Sequence, residues 1–179
     1  MPNRNDFMAA LRADKRHGSI PAADDIYAGF IGEWDFEWVS NAGTPEEFRV
    51  EGEWLFVRAL EGRAIADLFI CPSREARTRD GMPEGEYGLS VRTYAAETRT
   101  WHVCYSCGGK PDVLESVPVR NGDIAQHLVN KDYQSIWAFS EITDTSFHWS
   151  NRVSRDGGLS WTTVGDVYAT RRPGGKTNA

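Results

Sequence analysis

Two periods run along the chain. Over residues 4–16 the apolar positions Phe7, Met8 and Leu11 fall on one side of a helix, while Arg12, Lys15 and Arg16 gather towards its C-terminal end. The helix dipole favours cations there. Gly18 and Pro21 close the helix. In the next segment Ile26, Phe30 and Ile31 fit one further helical turn. Such a piece either plugs one end of the fold or only covers apolar surface, and covering is the commoner role of a terminal helix.

From Gly32 the period becomes two. Trp34, Phe36 and Trp38 alternate with Glu33, Asp35 and Glu37. Phe48, Val50, Gly52, Trp54 and Phe56 then alternate with Arg49, Glu51 and Glu53. The clearest signal lies in Thr145–Arg172, where Phe147, Trp149, Asn151 and Val153 alternate with polar residues up to the turn Arg155-Asp156-Gly157-Gly158. Asp-Gly and Gly-Gly supply the positive φ that a tight hairpin needs. Beyond the turn Leu159, Trp161, Thr163, Gly165, Val167 and Ala169 form a second row. Period two on both sides of such a turn predicts two long strands, each with a dry and a wet face.

Further strands are predicted over 62–70, 86–95, 98–107, 112–120, 123–130 and 134–142. Residues 73–85, polar and containing Gly and Pro, read as a mobile loop. Connections such as Ala96-Glu97, Asn121-Gly122 and Thr143-Asp144 are so short that successive strands must be antiparallel neighbours. An open sheet of about ten strands with one apolar face would curl or aggregate. The predicted fold is therefore all-β: an antiparallel up-and-down β-barrel of about ten strands with a short N-terminal helix. Its parts are a helical segment over 1–31, the barrel over 32–172 and a flexible tail over 173–179.

Composition narrows the function. The chain has 179 residues with 20 basic against 26 acidic side chains, a net charge of −6 without a basic run, which speaks against nucleic acid. No stretch is apolar enough for a membrane span. Three cysteines, Cys71, Cys104 and Cys107, with no signal peptide, lead us to expect a reducing cytoplasm. Seven tryptophans suit both a β core and a ligand cavity.

Gly32-Glu33-Trp34 at the start of the first strand and Arg171-Arg172 at the end of the last resemble the calycin superfamily of lipocalins and fatty-acid-binding proteins. The resemblance implies that Trp34 sits at the closed end of the barrel with Arg171 or Arg172 packed against it. Gly62-Arg63, Ser90-Val91-Arg92-Thr93-Tyr94 followed by Trp101, Trp137-Ala138-Phe139, Phe147-His148-Trp149 and Asp156-Gly157-Gly158-Leu159-Ser160-Trp161 are similar to bacterial DUF1579-type, lipocalin-like families. That likeness spans about residues 30–172 and implies a fold more than a chemistry.

The reactive residues form no familiar signature. Cys104 and Cys107 are expected on or beside a strand, not at a helix N-terminus, and lack further zinc ligands nearby. His102 and His148 lie on the rows opposite Trp101 and Trp149 and should face solvent, whereas His127 is ambiguous and fits a cavity wall as well. The row Arg63, Ile65, Asp67, Phe69 beside Ser90, Arg92, Tyr94 reads either as a surface ion pair or as charge inside the barrel; an interior Arg92 would need Asp67 or an anionic ligand. The favoured reading is a barrel that binds a small, mostly apolar molecule, aromatic or carboxylate-bearing. Trp38, Trp54, Trp101, Tyr105, Trp149 and Trp161 would supply its walls, and Arg92 and Asn151 its polar anchors. A second reading is a cofactor-independent lyase, isomerase or cyclase with Arg92, Asp67, His127 or Tyr105 in acid–base roles. A third is a structural barrel with a filled interior. No metal or cofactor is expected. The expected partner is a small-molecule ligand, not nucleic acid or membrane, and a homodimer stays open.

Overall fold

A computed structural model describes residues 4–81, 84–109, 111–118, 122–129 and 132–174. Ten strands carry the barrel, after a two-residue strand β1 (Arg12–Ala13): β2 (Gly32–Ser40), β3 (Phe48–Ala59), β4 (Ala64–Cys71), β5 (Glu86–Ala95), β6 (Thr100–Ser106), β7 (Asp112–Pro118), β8 (Ile124–Val129), β9 (Gln134–Ser140), β10 (Ser146–Ser154) and β11 (Thr162–Arg171). Each pairs antiparallel with the next, and β11 pairs with β2, so β2–β11 close into an up-and-down barrel without an edge.

The barrel is aromatic inside because the rows of period two meet in register. Trp34 lies opposite Trp54 and Arg171, Phe36 opposite Gly52 and Ala169, and Trp38 opposite Val167. Gly52 has to be small: a Cβ there would lie 2.1 Å from the Phe36 ring. At the end of the barrel where β2 begins, Phe30, Trp34, Phe56, Phe139 and Phe147 form a continuous buried core. Ring centroids 4.7–5.6 Å apart connect Trp34 and Phe30 to Phe147 and Phe30 to Phe56.

Two elements differ from the sequence expectations. The N-terminal helix α1 is Arg4–Leu11, because Arg12 and Ala13 leave it to pair with Ala59 and Arg58 of β3. Phe7 and Met8 are exposed, and Leu11 packs against a small outer cluster of Ala59, Ala64 and Ala66. Within the expected loop 73–85, Arg74–Asp80 forms a second helix, α2; Ser73 caps it, its side chain accepting from the Ala76 amide at 3.1 Å, and Gly81 ends it at φ 64°. Met82 and Pro83 of that segment, and residues 175–179 of the expected tail, lie outside the described residues.

Residues 17–31 do more than cover. They enter the barrel end as two 3-10 turns, Ala22–Asp24 and Ala28–Phe30, and bury Ile20, Tyr27 and Phe30 completely. The Trp101 indole donates to the Asp24 carbonyl at 2.8 Å and the Trp34 indole to the Phe30 carbonyl at 2.7 Å. Arg58, itself interior, pairs with Asp25. Of the two candidate arginines, Arg171 stacks on Trp34, its guanidinium carbon 4.0 Å from the ring centroid. Arg171 also donates to the carbonyls of Gly29, Ile31 and Asp144, while Arg172 points outward to Asp35, Glu33 and Glu53.

Candidate functional site

The plug leaves the other half of the barrel partly open. An inner cavity of about 110 Å³ lies against Trp38, Trp54, Phe69, Trp137 and Trp149. Its polar lining comes from Glu86, Ser90, Arg92, Tyr105, Gln126 and Asn151. A mouth of about 300 Å³ shares Trp137 and Asn151 with it and is bounded by Asp112, Tyr133 and Arg155, at the ends of strands away from the plug. The two volumes reach the lower part of the range of about 300–1,000 Å³ usual for small-molecule sites.

Alternation along β4 and β5 directs Asp67 and Arg92 inward, both essentially without exposure. They form an ion pair inside the barrel. Asp67 is further held by the Trp54 indole, which donates at 2.5 Å, and by the Ser90 hydroxyl at 3.3 Å. The Arg92 guanidinium carbon lies 4.9 Å from the Tyr27 ring centroid and 5.6 Å from that of Phe56. Burial pulls the Arg92 pKa below its ordinary value and pushes that of Tyr27 up.

The plug reaches this polar layer through Tyr27. Its hydroxyl donates to Ser116 at 2.8 Å and accepts from the Gln126 amide nitrogen at 2.7 Å. Among the described residues, Gln126 Oε1, Arg92 Nε and Trp149 Nε1 are buried without a hydrogen-bond partner, as are Asp67 Oδ2 and Arg92 Nη1, which face each other in the ion pair. Buried polar groups are paired as a rule, so the first three, on one cavity, mark it. Asn151 accepts from Ser135 at 2.8 Å beside a register shift between β10 and β11. At the cavity rim Tyr105 donates to Glu86. Burial, then this contact, raise the Tyr105 pKa.

Of the residues expected from sequence, Trp38, Trp54, Arg92, Tyr105, Trp149 and Asn151 come together on this cavity, with Asp67 behind Arg92. The others lie elsewhere. Trp101 is buried against the plug, its ring edge-on to Tyr27 at 5.4 Å. Trp161 precedes β11 and donates to the Gly158 carbonyl within its own turn at 3.2 Å. His127 is exposed on the outer wall, across from Glu115 and Ile136. His102 and the two cysteines Cys104 and Cys107 are exposed as well, and His148 pairs with Asp166 on the outside. No group of three or more His, Cys, Asp or Glu side chains suited to a metal ion occurs among the described residues.

Sequence reasoning missed Tyr27, Glu86 and Gln126. Gln126 had a legible signal: it interrupts the apolar row Ile124, Leu128, as Asn151 interrupts Trp149, Val153. Tyr27 had none, because its role depends on the plug entering the barrel. A larger groove of about 770 Å³ lies outside, between α2 and the wall. Its arginines already have carboxylate partners: Arg74 with Glu53 at 2.7 Å, Arg172 with Asp35 at 2.5 Å and Arg79 with Glu51 at 3.1 Å. These pairs fasten α2 and the chain end to the barrel.

No family model and no curated protein matches the chain. Solved structures do. The chain is similar to "S-type Phycobiliprotein Lyase CPES" from Guillardia theta, with a TM-score of 0.60 and 12% identity over 87% of this chain and 95% of that one. It is also similar to Rv2717c from M. tuberculosis, with a TM-score of 0.55 and 9% identity over 89% and 100%. No helix among the described residues is long and apolar enough to cross a membrane. At such identities the likeness concerns the fold alone, and the chain is a calycin-like barrel of ten strands.

Proposed function

We propose that the protein binds a small, mostly apolar molecule in the open half of its barrel, in a reducing cytoplasm, as a relative of the DUF1579-type lipocalin-like proteins. One observation carries the reading. An aromatic cavity contains buried hydrogen-bonding groups that the chain itself leaves unpaired: Gln126 Oε1, Arg92 Nε and Trp149 Nε1. A structural barrel with a filled interior has no use for them, since each unpaired buried group costs about 1–3 kcal/mol. The tryptophans Trp38, Trp54, Trp137 and Trp149 surround the cavity, so ligand entry should change intrinsic fluorescence. A titration with a panel of small aromatic and aliphatic compounds tests this. Saturable quenching that weakens in Trp149→Phe supports the reading, and a flat response across a diverse panel sinks it.

A second reading is an enzyme acting without metal or cofactor in the same pocket. It is favoured by the hydrogen bond between Tyr105 and Glu86 at the rim, a carboxylate within proton-transfer reach of a phenol. A structurally similar protein is also named a lyase. Under this reading Tyr105 and Glu86 move the proton and Arg92 steadies developing charge. Turnover that survives Tyr105→Phe combined with Glu86→Gln would dismiss it.

A further inference from the structure

We propose that the group held in the inner cavity is neutral and planar and carries a hydrogen-bond acceptor beside a donor, the edge of a carboxamide or a lactam, rather than a carboxylate. The inference rests on the lumen being the binding site and adds the chemical class of what binds there.

An arginine inside an aromatic barrel invites an anionic ligand. Here that position is taken. Asp67 lies against Arg92, both side chains are buried, and Trp54 and Ser90 hold the carboxylate in place. The pair is neutral as a unit. A second carboxylate brought to Arg92 would enter a buried site whose positive charge is already balanced, with the Asp67 anion beside it. What remains on offer is dipolar. Arg92 Nε and Trp149 Nε1 are donors without partners. Gln126 Oε1 is an acceptor without a partner, its amide nitrogen being engaged by Tyr27. Tyr27 donates to Ser116 and accepts from the Gln126 amide nitrogen, and in this arrangement the Gln126 oxygen is directed elsewhere. Two donors and one acceptor on one cavity match a carbonyl next to an N–H.

Size agrees with this. An apolar cavity of about 150 Å³ accepts a benzene ring. The inner cavity, at about 110 Å³, takes a head group of a few atoms, and the mouth of about 300 Å³ takes the ring that carries it.

Toluene, benzamide and benzoate carry an apolar, a dipolar and an anionic group on the same ring, and benzamide and benzoate are isosteric. Titrating each into ¹⁵N-labelled protein, with the tryptophan indole N–H signals as readout, separates the alternatives. Benzamide should bind about tenfold or more tighter than both others and shift the Trp149 signal. In Asp67→Asn, where Arg92 loses its counter-charge, the order should reverse in favour of benzoate. Gln126→Leu, which leaves the ion pair intact, should abolish the advantage of benzamide over toluene and keeps the inference testable where Asp67→Asn fails to fold. Benzoate preferred by the wild type, toluene as tight as benzamide, or an unchanged order in either folded variant overturns the inference while leaving the lumen as the binding site. Silence from all three compounds at every indole overturns the inference as well, and a flat response extending across the diverse panel overturns the lumen as the binding site.

Discussion

The Asp67–Arg92 pair decides the chemistry of the lumen, and its contribution to stability has a definite sign. Breaking a buried pair from one side leaves an uncompensated charge and costs about 3–5 kcal/mol, whereas replacing both partners by apolar residues of similar volume is often close to neutral. Arg92→Met and Asp67→Leu should each destabilise by that amount. The double variant should recover most of the loss in urea unfolding curves. Full additivity of the two single losses would mean that the pair is not coupled as its contact implies. The sequence supplied both partners but not their facing. On β4 the inward row Ile65, Asp67, Phe69 and the outward row Ala64, Ala66, Leu68 are both largely apolar, so parity alone gives no direction. The reason is that Leu11 covers Ala64 and Ala66 from outside, which gives that part of the wall two dry faces. Asn151 and Gln126 sit where one row is plainly apolar, and there alternation is informative.

Among the elements, helices were harder to read than strands. The seven-residue α2 has no apolar stripe, and only Ala76 of it is buried. Its register comes from the barrel: Glu53, nearly unexposed, accepts from the Arg74 amide at 2.9 Å and from its guanidinium at 2.7 Å. The Arg74 contacts, with help from Arg172, lower the Glu53 pKa from 4.5 to about 2 against the opposing effect of burial. A lowered folded-state pKa means stability present above pH 4.5 and lost as pH falls from there towards 2. Unfolding free energies measured at pH 6, 5, 4 and 3 should therefore fall more steeply for the wild type than for Glu53→Gln, and parallel curves would contradict the coupling. The N-terminal segment shows the same dependence on tertiary context. Its helical spacing placed Phe7, Met8 and Leu11 on one face, yet Phe7 is 69% exposed, and the fully buried side chains belong to the plug, among them Phe30 at 1% exposure. Phe30→Ala should cost about 3–5 kcal/mol. Phe7→Ala should stay within about 0.5 kcal/mol. Thermal or chemical unfolding distinguishes a plug from a cover by that contrast.

At the scale of the whole molecule, closure was legible and filling was not. Ten short-linked strands with one apolar face leave a barrel as the consistent solution, and the pairing of β11 with β2 completes it. How much of the interior stays open depends on whether the chain supplies its own occupant. Tyr27 and Phe30 do so at one end, which turns tryptophans such as Trp101 from expected pocket wall into packing around the plug. The seam and the plug meet at Arg171. Its guanidinium covers Trp34 at 4.0 Å, and it donates to the carbonyls of Gly29 and Ile31 in the plug and of Asp144 before β10. Arg172, one residue on, binds carboxylates on the outer wall. The two arginines should therefore fail differently. Arg171→Ala should speed amide hydrogen exchange in residues 27–34 and shift Trp34 emission, because it frees the plug from the seam. It should leave ligand affinity at the mouth within about twofold, since Arg171 does not line either cavity. Arg172→Ala should leave exchange in 27–34 unchanged and loosen α2 instead, through Glu53. Equal exchange profiles for the two variants would show that the plug does not depend on the Arg171 contacts, and that the closed end is held by the aromatic core alone.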